Sequence, residues 1–311
     1  MHQVILESKY TATGVSVLAC LFVSLLLFQL FFRGRNQSIK APLVDAINDK
    51  KFHIRTLESA AKLWQHGYQK YPQKPFLVPS KLGTTLVVPP SNLSFLKGLP
   101  DSVLSFESAF SDQMMGQHTR VVPKNSFPLI ASTIKSDLTP HIPKLNSQIN
   151  EIVEQAVSDE LSLAEEWTTC SLNKTLLRIV SIVIGEVAIG PEHSKDQRYL
   201  DVALNYTIEV FSAVAAVQFI PLMLRMIMAP FTSQIRALRK RERDATRFFA
   251  PILEARHQAA AQNEPPPDDM MTWMVKRGAK FEVQNLARQA HLQLGITFAA
   301  VHTTTTTATS V

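Results

Sequence analysis

The chain has 311 residues, 46% of them hydrophobic, with a net charge of +6 and a pI of about 9.3. That length and apolar content exclude a disordered chain and suffice for a sizeable buried core. The mild basicity suits an anionic lipid surface or an acidic partner and is too small to argue for nucleic acid, and two cysteines, Cys20 and Cys170, exclude both a disulfide framework and a Cys-x-x-Cys metal site.

The first element is a span without charge, "TATGVSVLACLFVSLLLFQLFF", from Thr11 to Phe32. As a helix it is about 33 Å long, enough for a hydrocarbon core of roughly 30 Å. It is longer than the apolar core of a cleaved signal peptide, and no small-residue cleavage site follows it. Arg33, Arg35, Lys40, Lys50 and Lys51 come after it, whereas Glu7 and Lys9 precede it. The positive-inside rule then puts the body in the cytosol. The expected organisation is a luminal stretch at 1–10, a transmembrane anchor at 11–32, a basic linker at 33–51 and one domain over 52–311. Sequons at Asn36, Asn92, Asn173 and Asn205 would go unused in that orientation.

Residues 52–71 read as an amphipathic helix, with Phe52, Ile54, Leu57, Ala60, Ala61 and Trp64 near helical spacing. Two β-type runs, Phe76–Val78 and Thr84–Val88, flank a Pro-Ser-Lys-Leu-Gly turn and read as a hairpin. Beyond them the pattern is helical at about 91–98, 101–110, 127–136, 141–159, 167–190, 196–218, 232–261, 268–276 and from 281 onward. The loop "AAAQNEPPPDD" interrupts this pattern, because three prolines cannot continue a helix. The fold class is mainly α with a small β element. Val210–Phe231 is nearly all apolar, yet Pro221 and Arg225 make it a poor second span. A segment dipping into the bilayer and a plain buried helix both remain open for it. The following "RALRKRERDATRFF" is a basic face that suits either solvent or an anionic leaflet.

The order of these pieces is informative. An anchor is followed by "GYQKYPQKPFLVP" and "GTTLVVPP". Then come "SFESAF", "DLTPHI", "EEWTTCSLNKTLLRIVSIVIGEVAIG", "LDVALNYTIEVFSAVAA" and finally "LGITFAAVHTTTTTAT". In this order the chain resembles the membrane-bound cytochrome P-450 monooxygenases of fungi, haem-thiolate enzymes, and looks closest to the group that oxidises terpenoid and indole-diterpene-like secondary metabolites. The resemblance implies the N-terminal part of a cytochrome P-450 fold behind its anchor. It implies an endoplasmic reticulum membrane location, a lipophilic small-molecule substrate, and electrons from NADPH through a membrane cytochrome reductase. It also aligns Ala299, Ala300, Val301, His302, Thr303 and Thr304 with the family's [Ala/Gly]-Gly-x-[Asp/Glu]-Thr-[Thr/Ser]. Ala299 and Ala300 would then lie on the distal face of the haem, and Thr303 would relay a proton. His302 departs from the acid that the family often has there. Read without the resemblance, a threonine run in a helix signals hydroxyls bonded back to i−4 carbonyls.

The family's iron ligand is a cysteine in a Phe-x-x-Gly-x-Arg-x-Cys-x-Gly loop, and neither Cys20 nor Cys170 has such surroundings. Cys170 reads as a packed or half-exposed thiol at a helix start. No Glu-x-x-Arg occurs, and the one Trp-x-x-x-Arg, Trp273 to Arg277, reads as a chance match. The expectation is therefore a chain truncated in its oxygen-activating helix, inactive as it stands, with no stably bound haem and no metal ligands. Two alternatives stand beside it: a complete monooxygenase whose C-terminal part lies outside these residues, and a non-catalytic membrane-tethered helical interaction protein. Protease added to intact microsomes is expected to digest the body and spare a short luminal stub. Glycosylation at Asn92, Asn173 or Asn205 would reverse the orientation.

Overall fold

Local capping and packing choices explain most of the element boundaries. A computed structural model describes residues 40–44, 52–80, 83–121, 123, 126–161, 169–262 and 264–310, in two compact units that divide after Leu104. Residues 1–10, the anchor expected at 11–32, and the linker apart from 40–44 lie outside the described residues.

In the first unit, α1 (Phe52–Lys70) is followed by β1 (Phe76–Ser80) and β2 (Gly83–Val87). The strands pair antiparallel in a register that sets Phe76 opposite Val87 and Ser80 opposite Gly83. Residues 42–44 run beside β1, with Leu77 N donating to Pro42 O at 2.8 Å and Val44 N donating to Leu77 O at 2.9 Å. Alternation sends Phe76 and Val78 to one face, where they bury with Val44, Leu63 and Val87. The sequence pattern put Trp64 on the buried side of α1, but Trp64 is 39% exposed. The helix is turned so that Leu63 and Gly67 face inward, since a Cβ at Gly67 would stand 2.3 Å from the Phe76 ring. A 3-10 turn (Pro90–Asn92) and α2 (Leu93–Lys97) complete this unit.

The second unit is helical. Its first helix, α3 (Phe106–Gln113), starts later than the pattern suggested, because the Ser105 side chain caps it by accepting from Ser108 N at 3.2 Å. The short α4 (Gly116–Thr119) sits between two left-handed residues, Met115 (φ 52°) and Arg120 (φ 58°). A break was expected near Asp137–Pro140. Instead α5 (Phe127–Thr133) runs through a π-helical stretch, Ile134–Leu138, into α6 (Thr139–Glu160). Proline has no N–H to give to the helix, so the wider turn, with Thr139 Oγ1 donating to Ile134 O at 2.8 Å, carries the chain past Pro140 and Pro143.

After α7 (Leu172–Ile189), Gly190 turns at φ +89° into α8 (Pro191–Ser194). Then come α9 (Gln197–Gln218), α10 (Arg225–Met228), α11 (Ser233–Gln262), α12 (Met270–Gly278) and α13 (Leu286–Ser310). The last of these packs on α7, α9 and α11. Tyr199, Tyr206, Leu238, Phe249, Leu294 and Val301 are among the side chains that close this core. α9 is long and apolar enough to cross a membrane, but half of it is buried against other helices, which makes it a core helix. Trp273 and Arg277 have structural partners. Trp273 Nε1 donates to Asp268 Oδ1 at 2.9 Å, and Arg277 pairs with Asp137, Nη2 to Oδ1 at 3.0 Å. This pair ties α12 to the π stretch.

Two glycines on facing helices should respond in opposite ways to alanine. A Cβ at Gly185 would lie 2.6 Å from the buried Tyr199 ring and 3.1 Å from the Ser194 backbone. Overpacking of that kind costs about 1–3 kcal/mol, more than the roughly 1 kcal/mol gained in helix propensity. A Cβ at Gly295 meets nothing within 4 Å. Urea unfolding should show Gly185→Ala destabilised and Gly295→Ala stabilised by about 0.5–1 kcal/mol.

Candidate functional site

One face of α13 borders a cavity of about 570 Å³ with an almost wholly apolar wall. The aromatic part of that wall comes from four helices. Phe106 of α3 meets Phe127 of α5 edge-on with centroids 5.0 Å apart, and Phe110 reaches Phe298 of α13 at 6.5 Å. Phe211 of α9 lies 5.8 Å from Phe298. The structure brings all four residues singled out in the sequence, Ala299, Ala300, His302 and Thr303, to this wall. Ala299 is exposed to it and Ala300 partly so, which leaves the space beside this turn of the helix free of bulk.

Alternate hydroxyls of the threonine stretch are bonded as the bare sequence suggested. Thr303 Oγ1 donates to Ala299 O at 2.6 Å, and Thr305, Thr307 and Thr309 repeat the pattern one turn apart at 2.8, 2.9 and 2.8 Å. Donation to the i−4 carbonyl leaves lone pairs on Thr303 Oγ1 free to accept. His302 is different. Its Nε2 is buried with no hydrogen-bond partner among the described residues. Burial holds its pKa below the ordinary histidine value, opposed by a hydrogen bond to the Leu204 backbone. The imidazole is therefore neutral at neutral pH.

Cys170 is exposed, just ahead of α7, and takes no part in the cavity wall. Among the described residues no group of three His, Cys, Asp or Glu side chains is arranged to hold a metal.

No protein-family model matches the chain. Individual proteins do. Cytochrome P450 monooxygenase prx8 of Penicillium rubens is 27% identical over 308 residues, covering 98% of this chain and 56% of that protein. Cytochrome P450 monooxygenase ORF5 of Penicillium roqueforti is 28% identical over 252 residues, or 80% and 46% of the two chains. Cytochrome P450 monooxygenase ATR3 of Stachybotrys chlorohalonatus is 30% identical over 233 residues, or 74% and 48%. The chain belongs to a cytochrome P450-like family. It spans about half the length of the curated relatives it matches.

The P450-like chain has a second opening that sequence patterns did not flag. A vestibule of about 790 Å³ lies where α4, α11 and the start of α13 meet, bordered by Arg120, Arg243 and Arg247 and floored by Glu242 and His291. His291 also belongs to the wall of the apolar cavity. These residues come from three separate stretches of chain, so no local motif reveals them. Arg243 and Arg247 belong to the basic face of α11, which the fold divides among different tasks. Arg241 pairs with Glu209, Nη2 to Oε1 at 2.8 Å, and Arg239 donates to His118 O at 3.3 Å.

Glu242 Oε1 and His291 Nε2 are 3.9 Å apart, too far for a hydrogen bond, and neither atom has another partner among the described residues. Burial favours the neutral form of both. It lifts the Glu242 carboxyl to about 7 against the pull of Arg239, Arg120 and Arg243, and it lowers His291, with Arg120 adding to that effect. Unfolded, Glu242 loses its proton near 4.5; folded, it does so near 7. The folded state therefore binds the extra proton between those values. This contribution to stability is complete below about 4.5 and is lost as pH rises through 7. Glu242→Gln, which keeps the neutral form at every pH, should be more stable than the parent at pH ~8 by on the order of 1–3 kcal/mol. Near pH ~4 the two should unfold at almost the same denaturant concentration, and parallel curves across the whole range would refute the assignment.

Proposed function

We propose that these residues form the distal, substrate-facing half of a fungal haem-thiolate monooxygenase that oxidises a lipophilic secondary metabolite of the terpenoid or indole-diterpene type. One observation carries this reading. The family-like run Ala299–Thr303 lies on the wall of the apolar cavity, beside the aromatic cluster that would hold such a substrate. The donor set fits one side of a haem only. The small side chains of Ala299 and Ala300 leave room for a flat apolar macrocycle, while a cysteine ligand loop is not among these residues. When bound through a thiolate, the haem supplies oxygen activation.

The chain's own residues would do the rest. Phe106, Phe110, Phe211 and Phe298 bind and orient the substrate and exclude water. Thr303 Oγ1 holds a proton at the cavity wall. Rotation about its χ1 takes that proton off the Ala299 carbonyl and turns it into the cavity, at the cost of one hydrogen bond, about 0.5–1.5 kcal/mol. His302, kept neutral by burial, offers a polar nitrogen without bringing a charge into the apolar wall.

A membrane location is supported by the segment after α9. Phe219 is 88% exposed and Phe231 75%, and Leu222, Met226 and Ile227 between them are also open. Phe211 of the cavity wall lies only about 12 Å along the helix axis from Phe219, so a ligand dissolved in the bilayer would have a short apolar route inward. In the microsomal protease assay, chymotryptic cuts at Phe219 and Phe231 should be absent until detergent is added.

The relay is tested in a protein that carries these residues together with a cysteine ligand loop and shows the carbon-monoxide band of thiolate-ligated haem. Thr303→Ala should lower product formed per NADPH oxidised by about 10-fold or more, and Thr303→Ser should retain most of it. Equal coupling in the parent and in Thr303→Ala would remove Thr303 from the mechanism.

A further inference from the structure

The vestibule differs in chemistry from the cavity it adjoins. Its charged rim is Arg120, just past α4, with Arg243 and Arg247, which stand one turn apart on α11. All three are exposed. The acidic group facing them from the floor is Glu242, whose buried carboxyl is half neutralised near pH 7. Asp244 approaches Arg247 at 3.6 Å, an exposed pair of a kind that contributes little and yields to a better ligand. Gln117 and Thr246 add neutral hydrogen-bonding groups. Positive charge therefore exceeds negative around a concave surface of about 790 Å³. Three guanidinium groups at one mouth repel one another unless an anion joins them, and their planar donor forks match a carboxylate.

The second observation is continuity. His291 is shared by the vestibule and the apolar cavity. From His291 to Thr303 the helix advances by about 18 Å. A molecule with its charged end at the arginines would pass His291 and lay an apolar body along α13 as far as the Ala299–Thr303 turn.

We propose that the vestibule is an anion-binding subsite of the same ligand site, and that the ligand is an elongated lipophilic carboxylic acid whose carboxylate is held by Arg120, Arg243 and Arg247. This inference rests on the substrate-binding reading of the apolar cavity. It adds an orientation, because the end of the molecule presented to Ala299, Ala300 and Thr303 is the one remote from the carboxylate. His291, neutral and short of a hydrogen-bond partner, is placed to accept from or donate to a polar group between the two ends.

The test compares hexadecanoate with its methyl ester, which has the same apolar body and no charge. Both are measured by equilibrium dialysis of radiolabelled ligand against the full chain in one detergent, so that partition into micelles cancels between protein variants. The acid should bind the parent chain about 10-fold or more tightly than the ester, as expected for charge-assisted hydrogen bonds. The triple variant Arg120→Gln, Arg243→Gln, Arg247→Gln alters exposed side chains only. It should bring the acid-to-ester ratio close to one while leaving ester affinity unchanged. Ala300→Phe, which fills the cavity, should weaken both ligands. Equal binding of acid and ester by the parent, or a preference that survives in the triple variant, would overturn the anion subsite and leave the cavity reading intact. Insensitivity of both ligands to Ala300→Phe would overturn the cavity reading and the subsite with it.

Discussion

The larger unit depends on a conflict within one helix. α13 must bury one side in the core and present another to open space, over the same turns. Ala290, Leu294, Val301 and Thr305 recur at intervals of four or seven residues and face α7, α9 and α11. Leu292, Gly295, Ile296, Phe298, Ala299 and Thr303 face the cavity. Such a helix cannot be amphipathic in the usual sense, since both faces are apolar or small. Its polar side chains have to be satisfied internally. Thr297 and Thr305 are buried, and each returns its hydroxyl to the carbonyl one turn back, at 2.9 and 2.8 Å. Gln289 is held by Val283 O and His257 at 2.9 and 2.8 Å. The threonine run can thus lie against packed helices without leaving donors stranded in apolar surroundings.

Once those hydroxyls are satisfied, the few polar atoms that are not stand out. Buried polar atoms in folded proteins are nearly always paired. Glu242 Oε1, His291 Nε2 and His302 Nε2 are three of the eight exceptions among the described residues, and these three belong to residues of one opening or the other, whereas Tyr199, Tyr206, Arg256, Thr272 and Gln293 line neither. Both imidazoles are held neutral by desolvation. Neutral nitrogens can border an apolar space at modest cost, whereas a charged group there would cost several kcal/mol. The molecule accordingly keeps Arg120, Arg243 and Arg247 at the exposed rim of the vestibule and keeps charge out of the cavity wall.

How much of this was legible in the sequence depended on distance along the chain. Helical periods placed α9, α11 and α13 within a few residues, and the Phe-Leu-Val and Thr-Thr-Leu-Val runs placed the hairpin. Ala299, Ala300, His302 and Thr303 of the family-like run in α13 lie on the cavity wall. The prolines near 140 misled, because the usual rule takes them as a break and says nothing of a π-helical detour. Trp64 misled for a different reason. Its spacing fits the apolar stripe, but the rotation of α1 is fixed by Gly67 meeting Phe76, a contact across the turn that periodicity does not contain. Val210–Phe231 was legible only as apolar. The structure splits it at the Pro221 break, with Val210, Ala213, Val214 and Val217 in the core and Phe219, Leu222 and Phe231 outside.

The arginines of α11 show why composition alone misreads a charged helix. As a string, "RALRKRERD" is a uniform basic face, and the economical reading is solvent or an anionic membrane. In three dimensions its members have separate fates. Arg241 is largely buried and spans Glu209 and Asp201 of α9, which locks α11 to its neighbour. Arg239 closes over the carbonyl of His118, next to the left-handed turn that carries Arg120. Arg243 and Arg247, four residues apart, are left on one side of the helix to face Arg120 across the vestibule. The first two contacts fix the spacing within which the other three side chains converge. The basic run is therefore both a structural clamp and a binding rim, and the division follows from which helix face α9 covers.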